Sequence, residues 1–160
     1  MFSFSAPTDA GTAETWRELV GAAKALTEGE SDAVANMANV AALIWQFVPR
    51  LNWAGFYRVI DGALVLGPFA GKPACIRIAM GAGVCGTAAQ DGTTQLVRDV
   101  HAFPGHIACD AESASELVVP VLRHGVVIAV IDLDSPDVAR FDAVDAVGLE
   151  ALAQAISTRI

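Results

Sequence analysis

The chain has 160 residues, 54% of them apolar, and carries 18 acidic against 10 basic side chains for a net charge of −8. That length bounds one domain, 1–160, with enough apolar residues to bury a core. The acidity, with no cluster of Lys or Arg anywhere, excludes nucleic acid and anionic membrane surfaces as expected partners.

Residues 1–11 form a polar N-terminal arm with neither the basic nor the apolar segment of a secretory signal. No apolar run reaches membrane length: "VVIAVI" at 126–131 is strand-sized, and the run at 40–48 carries Gln46 and stops at Pro49. A cytoplasmic protein is expected. Apolar residues at helical spacing predict helices over 12–29 and 31–49, with Ser31 as a plausible N-cap of the second and Pro49 as its end. "LNWAGFYRVIDGALVLGPF" predicts two strands about an Asp61-Gly62 turn. A third strand is expected over 74–79, a short helix over 84–90 within the glycine-rich stretch around Cys85, and a weaker strand over 94–100. "ELVVPVLRHGVVIAVIDLD" predicts a second hairpin turning at His124-Gly125, and a closing helix over 141–158 is opened by Asp142 or a neighbour. Hairpins make the sheet mainly antiparallel, so the fold class is α+β. Helices from both chain ends cover one face of that sheet, and a loop-covered ligand pocket occupies the other.

Three cysteines, Cys75, Cys85 and Cys109, are an odd number, which fits reduced or reactive thiols better than a secreted disulfide framework. Cys109 is the most telling. It lies in "HIACDAESASELVVPV", beside Asp110, Glu112, Ser113 and Ser115, and the stretch before it is broken by Pro104 and Gly105. The resulting loop, 99–115, is 17 residues long, and connections above roughly 12 to 15 residues in a compact domain tend to be functional or disordered. An exposed thiol in such a loop suits redox work: a thiolate that takes up oxygen becomes a sulfenic acid, and a second cysteine within reach condenses with it to a disulfide. Cys109 would attack and Cys75 or Cys85 would resolve. Against this, alternation in "ACIRIA" would make Cys75 a core-facing strand residue. Cys85 either gains a lowered pKa from a helix N-terminus or packs as a small core residue. Asp110 and Glu112 should raise the Cys109 pKa, so its thiolate needs a stabilising donor from elsewhere.

The acids form a second constellation. Asp132 and Asp134 share a face by the two-residue period of a strand, and Glu116 opens the partner strand of the same hairpin. All three fall at its open end, beside the loop that bears Cys109. Carboxylates this close raise one another's pKa unless a cation, such as an ammonium group, sits among them, and one retained proton makes a general acid. The plainer alternative is a set of solvated strand ends. For metal binding, His101 and His106 are spaced H-x4-H, but no cysteine pair has ligand spacing, and no metal is expected.

"LNWAGFYR", "LVLGPFAGKPACIRI", "GVCGTAA", "DVHAFPGHIACD", "SELVVPV" and "IDLDSP" together resemble the free methionine-(R)-sulfoxide reductases, single-domain enzymes built on the GAF fold. The likeness spans residues 15–158. It implies that Cys109 attacks, that Cys75 is the main resolving cysteine and that Cys85 has an auxiliary role. It further implies that Glu116, Asp132 and Asp134 hold the substrate ammonium and assist at the sulfoxide oxygen, with Trp53 and Tyr57 lining the pocket around the substrate sulfur. No bound cofactor is implied; reducing equivalents come from a thioredoxin-like reductant and NADPH, and the assembly is a homodimer. Two other readings remain open on the residues alone: a non-enzymatic GAF-type module that binds a small ligand or senses redox state, and a structural protein with inert thiols.

Overall fold

The structure is a computed structural model and describes residues 12–105 and 111–160. Two helices open it. Helix α1, Ala13–Leu26, is capped by the Thr12 side chain, which accepts from the Thr15 amide. Helix α2 is Ala33–Phe47. Its N-cap is Asp32, whose Oδ1 accepts from the Ala35 amide at 2.8 Å, and not the Ser31 expected from sequence; a carboxylate serves the helix N-terminus as acceptor and as charge. Val48 is extended at the C-cap, as the residue before a proline must be.

Strands β1, Trp53–Ile60, and β2, Ala63–Gly71, form the first hairpin. At its turn Asp61 and Gly62 have φ of 51° and 76°, the two positive angles a tight two-residue turn requires. Strand β3 is only Arg77–Ala79, helix α3 is Gly83–Asp91 and strand β4 is Gln95–Val97. A 3-10 turn follows at Val100–Ala102. The second hairpin pairs β5, Ser115–Arg123, with β6, Val126–Ser135, and helix α4, Ala143–Ile156, closes the chain with the expected Asp142 cap. The expected third and fourth strands are thus shortened, and 74–76 and 98–99 are irregular connections.

All five strand pairings are antiparallel, in the order β3-β2-β1-β6-β5-β4. The two hairpins meet along β1 and β6 at the centre. One face carries Ala54, Phe56, Leu117, Val119, Ile131 and Leu133, and against it pack Leu19, Ile44, Phe47, Leu149, Leu152 and Ile156 of α1, α2 and α4. The other carries Trp53, Tyr57, Val118 and Val130, covered by Val84, Cys85, Ala88 and Ala89 of α3 and by Val97 and Val100. Burial on both faces explains why β5 and β6 read as unbroken apolar runs instead of alternating. Polar contacts tie α4 to α1 and to the segment before it: Trp16 Nε1 donates to Asp145 Oδ1 at 3.1 Å, and the buried Arg140 guanidinium donates to Asp145 Oδ2 at 3.0 Å.

Candidate active site

The second face holds the site, and strand register assembles it. Trp53 lies opposite Asp134 across β1 and β6, and Asp134 lies opposite Glu116 across β6 and β5. Two residues further along, Gly55 faces Asp132, which faces Val118. Two-residue periodicity therefore turns Trp53, Tyr57, Glu116, Asp132 and Asp134 to the same side, as the sequence leads one to expect for the acids.

Two of these acids are not solvated strand ends, and the third, Asp134, is half-buried. Glu116 and Asp132 are each only 6% exposed. Burial, followed by the charges of Asp132 and Asp134, pushes the Glu116 carboxyl well above its usual range. Burial likewise lifts Asp132, to about 7, against the opposing effect of the hydrogen bond from Cys85. A cluster in this condition retains a proton near neutral pH unless a cation enters it. Asp132 Oδ1 is buried and has no hydrogen-bond partner among the described residues, which leaves an acceptor for such a cation.

Cys85 is the third residue of α3, and its Sγ lies 3.2 Å from Asp132 Oδ2 and 3.9 Å from Glu116 Oε1. The helix N-terminus does not lower its pKa as the dipole argument suggests. Burial first, and then the two carboxylates, push the thiol well above its ordinary value, so Cys85 stays a thiol that donates to Asp132.

An aromatic wall stands beside the acids. The Trp53 ring stacks on Phe69 at 5.2 Å and on Tyr57 at 5.8 Å between centroids. Gly55 permits this approach: a Cβ there would overlap Phe69 and reach within 2.8 Å of Trp53 Cη2. The wall also holds the segment after β2, because Trp53 Nε1 donates to the Lys72 carbonyl at 3.2 Å and Tyr57 Oη donates to the Cys75 carbonyl at 3.0 Å. Burial above all, with Asp132 next, raises the Tyr57 pKa and keeps it a donor. Phe69 escapes sequence reasoning, since only the β1–β2 register places it opposite Gly55.

Cys75 lies in the irregular connection before β3, half-buried, and takes part in a disulfide bond. It is therefore not the core-facing strand residue that alternation suggested. Cys85 is a free thiol. Cys109 lies outside the described residues, as do Asp110 and His106. The flanks of that loop are fixed: the Val100 amide donates to the Ala114 carbonyl at 3.0 Å, the Ala114 amide to the Ser135 carbonyl at 2.8 Å, and Asn52 Nδ2 to Ser113 Oγ at 3.0 Å. Lys72 Nζ and Glu112 Oε2, 2.5 Å apart, join the segment leading to Cys75 to the far flank of this loop. His101 is exposed. No described helix is long and apolar enough to cross a membrane.

The chain is similar to known proteins in sequence and fold. A GAF domain model matches residues 24–160. The Escherichia coli free methionine-R-sulfoxide reductase is 49% identical over 80% of this chain and 78% of its own length. The Saccharomyces cerevisiae protein of the same name is 45% identical over 90% of this chain and 84% of its own. The Neisseria meningitidis free methionine-R-sulfoxide reductase, solved in complex with its substrate, superposes with a TM-score of 0.91 at 42% identity, covering 99% of this chain and 94% of that one. Identity at this level over nearly whole chains is decisive: the chain belongs to the GAF-domain family of free methionine-R-sulfoxide reductases.

Proposed function

We propose that the protein reduces free methionine-(R)-sulfoxide to methionine. The observation that carries this reading is the buried pair Glu116 and Asp132, with the half-buried Asp134 opposite Glu116, beside the Trp53–Tyr57 wall. The carboxylates pair with the substrate ammonium, and the aromatic rings take its apolar sulfur end. A peptide-bound sulfoxide has no such ammonium and would leave buried acids unpaired, a penalty that selects the free amino acid.

A sulfoxide sulfur is a poor electrophile until its oxygen is protonated or hydrogen-bonded, and a retained carboxyl proton of the cluster performs that task. The Cys109 thiolate attacks the sulfur, the oxygen passes to Cys109 as sulfenic acid, and methionine leaves. The Cys75 thiol then attacks the Cys109 sulfur, expelling water and forming a disulfide, which a thioredoxin-type dithiol reduces. The sum is sulfoxide plus dithiol giving methionine, disulfide and water. A disulfide at Cys75 with Cys85 left as a free thiol supports Cys75 as the resolving residue. No bound cofactor enters, and a cytoplasmic homodimer completes the reading.

The test follows NADPH consumption with thioredoxin and its reductase on free methionine-(R)-sulfoxide, the (S) epimer and a peptide-bound sulfoxide. Turnover of the free (R) form alone is expected. No turnover of any of them, with thiols that still react, would favour a ligand-binding or redox-sensing module instead.

A further inference from the structure

Cys85 has no step in that reaction, yet its thiol is 4% exposed and faces two carboxylates. The donor atoms of Cys85, Glu116 and Asp132 all lie within 4.8 Å of one another. A tetrahedral zinc ion, with Zn–S of about 2.3 Å and Zn–O of about 2.0 to 2.2 Å, sets its S···O separations at about 3.5 to 3.7 Å. The observed 3.2 Å and 3.9 Å bracket that value, so small shifts of two carboxylate oxygens suffice. A second observation is Asp132 Oδ1, a buried acceptor without a hydrogen-bond partner among the described residues, open to a metal ion as well as to an ammonium group. The ligand chemistry favours one class of ion: a thiolate selects zinc and its borderline-soft relatives over magnesium or calcium, which prefer all-oxygen shells. Three protein donors leave a fourth position for water.

We propose that Cys85, Glu116 and Asp132 form a binding site for zinc-class divalent ions, and that an ion held there shuts the substrate out. Binding forms a metal–sulfur bond and releases the Cys85 proton to solvent. The set shares no residue with the His101–His106 pair. Ion binding stands on this geometry alone, whereas the exclusion of substrate rests on the carboxylates being the ammonium site.

The test titrates reduced, chelator-treated protein with Co2+ under anaerobic conditions and reads the thiolate-to-cobalt charge-transfer absorbance. One equivalent should bind, be displaced by Zn2+, and give no band in Cys85→Ser, while the Cys75→Ser/Cys109→Ser double variant keeps the band. A band that survives Cys85→Ser, or vanishes in the double variant, overturns the site. Should Cys85→Ser prove unfolded by circular dichroism, Asp132→Asn and Glu116→Gln decide: each should weaken Co2+ binding tenfold or more, and unchanged affinity in both overturns the proposal. Single-turnover methionine formation by pre-reduced wild type, with no other thiol present, should then show Zn2+ raising the apparent KM with the limiting rate unchanged. Binding without that competition would sink the ammonium assignment and the exclusion together, but leave the ion site standing.

Discussion

The Tyr57 hydroxyl donates to the carbonyl of Cys75 at 3.0 Å, from a side chain that is only 1% exposed. The deepest aromatic of the site face thus fixes the backbone of a cysteine that lies outside any strand. On the proposed mechanism, this bond would limit how far the Cys75 thiol must travel between the attack on the sulfenic acid and the attack by an external reductant.

Tyr57→Phe deletes that bond and retains the ring that stacks on Trp53. The fold should lose roughly 1 kcal/mol, the usual net worth of one hydrogen bond. Methionine released in a single turnover should be little changed, while steady-state turnover falls several-fold because disulfide formation slows. Rapid-quench measurement of methionine beside the coupled steady-state assay checks this; equal losses in both would mean that Tyr57 serves the chemical step instead.

The cysteines should separate into three phenotypes. Cys109→Ser abolishes reduction. Cys75→Ser yields about one methionine per site and stalls as a sulfenic acid, detectable by a dimedone-type probe and mass spectrometry. Cys85→Ser keeps multiple turnover. Multiple turnover by Cys109→Ser would refute the assignment of roles.

Burial raises the Asp132 pKa from 3.8 to about 7. Between those values the folded protein binds more protons than the unfolded chain, so stability of the ligand-free protein falls as pH rises from about 4 to about 7 and the full penalty applies above that. At about 1.4 kcal/mol per pKa unit the penalty is at most roughly 4 kcal/mol, and Glu116 acts in the same direction. Asp132→Asn should flatten the pH dependence of the thermal midpoint and raise it at pH 8, while activity drops by about 100-fold or more. An unchanged pH profile in the variant would show that Asp132 is ionised and stabilised in the free protein.

Gly148 lies in α4 against Trp16, and a Cβ there would overlap the indole ring. Alanine normally improves a helix interior by about 1 kcal/mol. Here Gly148→Ala should destabilise by about 2 kcal/mol or more, because the buried Trp16 is also held by its bond to Asp145. Denaturant unfolding measures the loss. KM and kcat of the folded fraction should not change, since Trp16 packs on the opposite face of the sheet from the acids.

The hairpins were legible in the sequence because Asp61-Gly62 and His124-Gly125 are turn pairs with a stereochemical reason to be there, and both adopt positive φ at each residue. The acid cluster was legible because strand period and hairpin spacing place Glu116, Asp132 and Asp134 at one end without knowledge of anything else. The depth of that cluster was not. Which strands lie on either side of β5 and β6, and which helix covers them, decides whether a carboxylate is solvated or buried, and no local pattern carries it. Cys85 illustrates the same limit: its place in a first helical turn was legible, but the sign of its pKa shift depends on Asp132 and Glu116, 47 and 31 residues away. The strand expected over 74–79 is too long because "ACIRIA" alternates well, whereas only Arg77–Ala79 joins the ladder, with the Ile76 carbonyl accepting one further bond from the Leu66 amide.

Strands β1, β5 and β6 form a wall shared by two compartments, and adjacent residues belong to different ones: Trp53 and Ala54, Glu116 and Leu117, Asp132 and Leu133. Adding or deleting one residue within 116–121 or 129–134, between the acids and the register shift at Val121/Leu122, would exchange the side chains beyond it, sending carboxylates among the helices and leucines into the pocket. Strand length here is thus inflexible in a way that residue identity is not. Changes in chain length belong at the two turns, 61–62 and 124–125, or at the register shift beside Val121/Leu122, which β6 already absorbs with one extra residue, so any redesign of the pocket should substitute elsewhere within the strands.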